Sequence, residues 1–184
     1  MSLIKKFKDS SAELSSVKAL AVCAMMLALR VVLGMFSNFT LAIVPFVKIG
    51  FTFIPIVITA YLYGPVCAGI VGGAGDILSI ILANPTAFSI TPGITVCCII
   101  EGVIYGLFLY RSEMKLPTVI FAKVAVLLLC HLPLNTLVLS FLMHMDYLTL
   151  LMYRAMVLIP FAVFEIFIIM LIRQPLMKTK KLIA

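Results

Sequence analysis

Six ionisable side chains stand inside long apolar runs of this chain: Arg30, Asp76, Glu101, Lys123, Arg154 and Glu165. A charge at bilayer depth costs at least about 2.5 kcal/mol, so such residues serve pairing, proton movement or ligand contact. Arginine suits a carboxylate, which its planar fork holds bidentately. A glutamate suits the N–H edge of a polar ring, because an ionised carboxyl only accepts hydrogen bonds. His131 and Asn135, four residues apart, would share a helical face and add both donors and acceptors. Together these residue types suit either ion pairs that fasten helices or a pocket that receives an anionic ligand.

Other chemistries are poorly served. His131-Leu-Pro-Leu-Asn135 has the His-x-x-x-Asn spacing used by certain membrane-embedded proteases, but those also need paired glutamates, and the chain has no Glu-Glu. The glycine run Gly69-Ile-Val-Gly-Gly-Ala-Gly-Asp76 lacks the Gly-Lys-Ser/Thr ending of a phosphate loop. No enzymatic activity is expected, and any ATP-driven work must draw on other subunits. The five cysteines, Cys23, Cys67, Cys97, Cys98 and Cys130, lie in apolar stretches without a CxxC pair. They read as small packed hydrophobes, and neither a metal nor another cofactor is expected.

The elements that must position these groups follow from composition. Of 184 residues, 64% are apolar and 11% charged, against roughly half and a quarter in a soluble domain. At about 20 residues per span, the chain has capacity for six spans and no room for a separate catalytic, nucleotide-binding or nucleic-acid-binding domain. The apolar segments run from Lys18 to Phe36, Ile49 to Tyr63, Pro65 to Leu82, Gly93 to Tyr110, Pro117 to Met143 and Leu148 to Ile172. The expected fold is all-α: a polytopic, multi-pass cell-membrane protein with six transmembrane helices in one substrate-binding domain, residues 1–184. The first span is too long for a signal-peptide core and lacks a small-residue cleavage site, so it is expected to be retained. Residues 1–17 and 174–184 read as basic tails. Between the second and third spans, Gly64-Pro65 must make a sharp turn.

Lys and Arg counts assign the sides. With both termini cytoplasmic, inner segments carry Lys5, Lys6, Lys8, Lys18, Arg111, Lys115, Arg173, Lys178, Lys180 and Lys181, while outer segments carry Lys48. This asymmetry accounts for the net charge of +7 without a nucleic-acid partner, and leaves the basic ends facing anionic lipid. By a rise of 1.5 Å per residue, Arg30, Asp76, Glu101 and Arg154 come to a common level about 9 to 12 Å below the outer surface. Lys123 and Glu165 lie nearer the inner side, where a structural role is expected, either as a pair or with Lys123 snorkelling to the interface. For the outer four the alternatives are ion pairs that fasten helices and contacts to a ligand, with Asp76 the most readily structural. The outer loops add Phe46, Lys48 and Phe88, suited either to covering a ligand or to anchoring at the interface. Ala24 and Ala28, spaced Ala-x-x-x-Ala, would let another helix approach the first span closely. The glycines of the third span are expected to pack internally beside the short second span.

These residues also carry a resemblance. Lys48-Ile-Gly-Phe-Thr-Phe-Ile-Pro55, Tyr63-Gly-Pro65, Gly69-Ile-Val-Gly-Gly-Ala-Gly-Asp76, Thr91-Pro-Gly93 and Gly102-Val-Ile-Tyr-Gly-Leu-Phe108 resemble the substrate-binding S components of energy-coupling factor (ECF) vitamin transporters. The likeness is greatest to the folate-specific branch, which also has an arginine near the outer part of its first span, as Arg30 is here. It runs from about Ala19 to Tyr110; Asn84-Pro-Thr-Ala-Phe-Ser-Ile90 departs from the usual folate loop, where Pro-Thr-Gly is common. The resemblance implies high-affinity capture of a vitamin from outside, with energy from a transmembrane coupling subunit and two ATPase subunits, and it makes Ala24 and Ala28 the docking face for the coupling subunit. On this basis Arg30, Phe46, Lys48, Phe88, Glu101, Tyr105, His131, Asn135 and Arg154 are the expected folate-binding residues. The competing readings are an S component for another vitamin, such as pantothenate, and a free-standing secondary carrier.

Overall fold

A chain that enters hydrocarbon must satisfy every backbone N–H and C=O within itself, and helices do this segment by segment. The computed structural model describes residues 3–40, 50–83, 92–112 and 114–183, and among them there are helices and no strand. The order is α1 (Leu3–Glu13), α2 (Val17–Thr40), α3 (Phe53–Tyr63), α4 (Pro65–Ala83), α5 (Pro92–Leu109), α6 (Leu116–Val126), a π-helical segment (Leu127–Leu134), α7 (Asn135–Met143) and α8 (Tyr147–Ile183). Five stretches of the described residues are long and apolar enough to cross a membrane: α2, α4, α5, the continuous α6-to-α7 rod and α8.

The second apolar segment forms a shorter helix. α3 has 11 residues, about 16 Å of helix against about 30 Å of hydrocarbon. It is apolar all round because it is wrapped by protein, with Phe53, Ile56, Val57, Ala60, Tyr61 and Tyr63 all buried. The main core forms around it, from Tyr105 and Leu109 of α5, Val119, Ala122 and Val126 of α6, Cys130 of the π segment, and Ile169 and Leu176 of α8.

α4 and α5 pack backbone to backbone. A Cβ added at Gly72 would stand 2.4 Å from the Cys98 carbonyl oxygen, one at Gly102 would stand 2.4 Å from that of Ala68, and one at Gly106 would stand 2.3 Å from Pro65 Cα. The glycines of α4 thus serve the contact with α5 rather than with the short α3. Gly75 serves α2, since its missing Cβ leaves the space crossed by the Arg30 side chain.

The N-terminal segment, expected as a basic tail, is a docked helix. Ser10 Oγ donates to the Tyr63 carbonyl at 2.6 Å and accepts from the Val66 N–H at 3.1 Å, bridging the α3–α4 turn. Lys6 Nζ donates to the Leu107 carbonyl at 2.6 Å, and Asp9 pairs with Arg111 at 2.8 Å. Gly64 between the two helices has φ +88°, and a Cβ there would also meet Ser10 Oγ at 2.8 Å. Backbone freedom and close approach therefore both demand glycine. At the other terminus, residues expected as a tail continue α8, whose 37 residues extend about 55 Å.

Candidate functional site

The ionisable residues reach the interior from different helices, and the fold gives each a local reason to be there. On α2, Arg30 is buried. Its Nη1 donates to the Thr52 carbonyl at 3.0 Å, at the start of α3. Its Nε has no hydrogen-bond partner among the described residues. Beside it on α4, Asp76 accepts from the Thr95 hydroxyl at 2.9 Å, and its own carbonyl accepts from Ser79 at 2.9 Å. Asp76 thus ties α4 to the first turn of α5, in keeping with a structural role.

A second run of polar groups crosses from α5 to α8. Glu101 is buried on α5, with its Oε1 3.9 Å from His131 Nε2. This is too long for a direct hydrogen bond. One turn along, Asn135 Oδ1 accepts a long 3.5 Å contact from Arg154 Nη1. Arg154 is itself buried, and its Nε lacks a partner among the described residues. Loose geometry in a buried polar set means that hydrogen-bonding capacity is left over. The described ion pairs are Asp9–Arg111, Lys123–Glu165 and His131–Glu101, and none joins Arg30 or Arg154 to Asp76 or Glu101. Among the described residues, no helix-fastening ion pair accounts for the two arginines.

A π-helical segment joins His131 to Asn135, and both residues are half-buried. Pro133 lies within it and has no N–H to donate. The wider turn absorbs this break, with the Asn135 N–H reaching the Cys130 carbonyl and the Thr136 hydroxyl reaching the His131 carbonyl at 3.5 Å. Segments of this kind recur at functional sites.

Lys123 and Glu165 form a buried ion pair between α6 and α8, as their depths suggested. Lys123 is also within electrostatic reach of Glu101, as is Arg30. Tyr105, one turn from Glu101, is fully buried in the apolar core with its hydroxyl unpartnered among the described residues. It lies beneath the polar set as a floor. Phe46, Lys48 and Phe88 lie outside the described residues. Ala24 and Ala28 are exposed on the outer face of α2, beside Met25 and Leu29.

Three contributors carried little signal in the sequence. Thr52 acts through its backbone carbonyl, which every residue possesses. Thr95 was hidden among apolar neighbours, although a hydroxyl on the first turn of a helix facing Asp76 was a usable cue. Gly75 differs from the other glycines of its run only in the side chain it faces.

A family model described as ECF transporter, substrate-specific component, matches residues 18–177. The folate transporter FolT of Clostridium novyi (strain NT) is 32% identical over 124 residues, which are 67% of this chain and 69% of that protein. A crystal structure of FolT bound with folic acid shares 30% sequence identity and a TM-score of 0.69, covering 86% of this chain and 91% of the other.

Proposed function

The chain belongs to the substrate-specific components of ECF transporters, and from that premise we propose that it is the high-affinity folate-binding subunit of an ATP-driven importer. The observation that carries this reading is the pair of buried arginines, Arg30 and Arg154, each with an Nε that has no partner among the described residues, in the interior that also holds the loosely held Glu101. Folate has a donor-rich pterin edge and an anionic glutamate tail, and the set offers acceptors and cations in one interior. Glu101 and Asn135 would accept from the pterin amino and ring N–H groups, with His131 beside them. Arg30 and Arg154, with Lys48 from the loop, would hold the carboxylates. Phe46 and Phe88 would enclose the ligand over the Tyr105 floor.

The membrane arrangement belongs to the same proposal. Six spans, with the buried α3 as the short second one, form one substrate-binding domain over residues 1–184. Both termini face the cytoplasm, on the lysine and arginine asymmetry of the connecting segments. The energising partners are a transmembrane coupling subunit, docking at Ala24 and Ala28, and two ATPase subunits. A free-standing carrier would need a polar path from side to side, whereas the inner-half charges Lys123 and Glu165 are closed on each other.

Calorimetric titration of the purified protein with folate and with pantothenate tests the reading. Folate should bind one to one, and pantothenate should not. Arg30→Ala, Glu101→Ala and Arg154→Ala should each weaken folate binding about 10- to 100-fold, the range for a hydrogen bond to a charged group. Near-normal affinity in all three would overturn the pocket, and failure of the unmodified protein to bind folate would overturn the ligand.

A further inference from the structure

The Arg30 side chain reaches the polar set by a narrow route. It crosses α4 at Gly75, where a Cβ would stand 2.4 Å from Arg30 Cδ, 2.7 Å from its Nε and 2.8 Å from its Cγ. These atoms belong to the middle of the side chain, so a swing of its tip would not make room for a methyl group. Gly75 is buried, and a close-packed interior has no slack to take up an added carbon. One turn along α2 from Arg30 the two helices are again in tight contact, since a Cβ at Gly34 would stand 2.7 Å from Ser79 Cβ. The passage for the arginine exists because position 75 carries no side chain. Helix propensity gives no reason for glycine there, as alanine is the better helix former.

Beyond the passage the guanidinium is held from one side. Nη1 donates to the Thr52 carbonyl at 3.0 Å, while Nε has no partner among the described residues. Nε and Nη2 form the side-on fork of an arginine, which matches the two oxygens of a carboxylate. The acid next in sequence to Gly75 is engaged elsewhere, because Asp76 accepts from the Thr95 hydroxyl at 2.9 Å. Arg30 also lies within electrostatic reach of Glu101, so its head is turned toward the polar set.

We propose that Gly75 is a positioning residue for specificity: by leaving room for the Arg30 stem, it sets the side-on fork of the guanidinium to receive a carboxylate of the ligand. Position 75 thus selects for an acidic vitamin through Arg30. The inference rests on the folate reading above and deepens it.

Calorimetric titration with folate and with folate diamide, whose two glutamate carboxyls are neutral amides, tests it. Gly75→Ala should weaken folate binding about 10- to 100-fold, as Arg30→Ala does. It should leave the affinity for the diamide within about twofold of that of the unmodified protein, and the Gly75→Ala, Arg30→Ala variant should bind folate as Arg30→Ala does, because the glycine acts through the arginine. Gly69→Ala, on the same helix against Val103, should leave both affinities unchanged. Unaltered folate affinity in Gly75→Ala, equal weakening of both ligands or additive losses in the double variant would each overturn the proposal. If the unmodified protein does not bind folate, the vitamin assignment falls, and thermal unfolding still decides the part played by Gly75. Gly75→Ala should lower the unfolding midpoint by about 3 to 10 °C, and adding Arg30→Ala should cancel that loss by vacating the space, even where the single variant fails to fold. A loss that persists without the arginine would overturn the proposal.

Discussion

Lys123 and Glu165 lie almost wholly out of contact with solvent and depend on each other. Removing one partner of a buried pair strands the other charge and costs about 3 to 5 kcal/mol, whereas replacing both with apolar residues of similar size is often neutral. Lys123→Met alone should therefore lower the unfolding midpoint in detergent by on the order of 10 °C. Lys123→Met with Glu165→Met should recover most of that loss in the same thermal scan. Recovery would show that the pair is structural. A double variant as unstable as the single one would mean that Lys123 chiefly answers Glu101. Matching depth made this pair one of two readings of the sequence, the other being a lysine that snorkels to the interface, and burial of both side chains decides for the pair. The Arg30 contact was not legible beforehand, since its acceptor is a main-chain oxygen, and no residue type announces which carbonyl will be left facing an arginine.

Among the elements, α4 and α5 show how helices associate where lipid offers no hydrophobic drive: small residues let backbones touch. The glycines of this contact are not equivalent. A Cβ at Gly69 would come no closer than 3.3 Å to Val103, while one at Gly102 would collide with main-chain atoms of α4. Gly69→Ala should be neutral or slightly stabilising, since alanine favours the helix by up to about 1 kcal/mol. Gly102→Ala should cost about 1 to 3 kcal/mol through overpacking. Thermal unfolding of the two purified variants checks the contrast. The sequence marked these glycines as a packing face, but spacing alone names no neighbour, and the face turned out to meet α5. The π-helical segment was similarly half legible: Pro133 announced a break, but the wide turn that repairs it depends on Thr136 and on the surrounding helices.

For the whole molecule, the exposed side of α2 is the surface proposed for assembly. Ala24 and Ala28 are open there, and their small size leaves room for a partner helix. Ala24→Trp with Ala28→Trp should leave folate affinity within about twofold, because neither side chain faces the interior, and should abolish copurification with the coupling subunit. Normal complex formation by that variant would remove the docking face. At this scale the apolar segments foretold an all-helical fold, since hydrocarbon leaves the backbone no alternative, and five of the six expected spans are helices long enough to cross a membrane among the described residues. They said nothing of α1, because a short polar helix acquires its place from Ser10, Lys6 and Asp9 meeting groups far along the chain.

The mismatch in helix length has a further consequence. α3 is short but shielded by protein, so the bilayer does not register its length. α8 is the opposite: its apolar stretch runs from Tyr147 to Lys178, and Met156, Val163, Phe167 and Leu171 face outward. A stretch of 32 residues is about 48 Å of helix against about 30 Å of hydrocarbon, an excess relieved by leaning. A thin bilayer is expected to tip this helix further than a thick one, at fractions of a kcal/mol per Å. On that expectation the thickness of the host membrane enters the resting posture of the molecule through α8, and oriented infrared dichroism in bilayers of two thicknesses measures it.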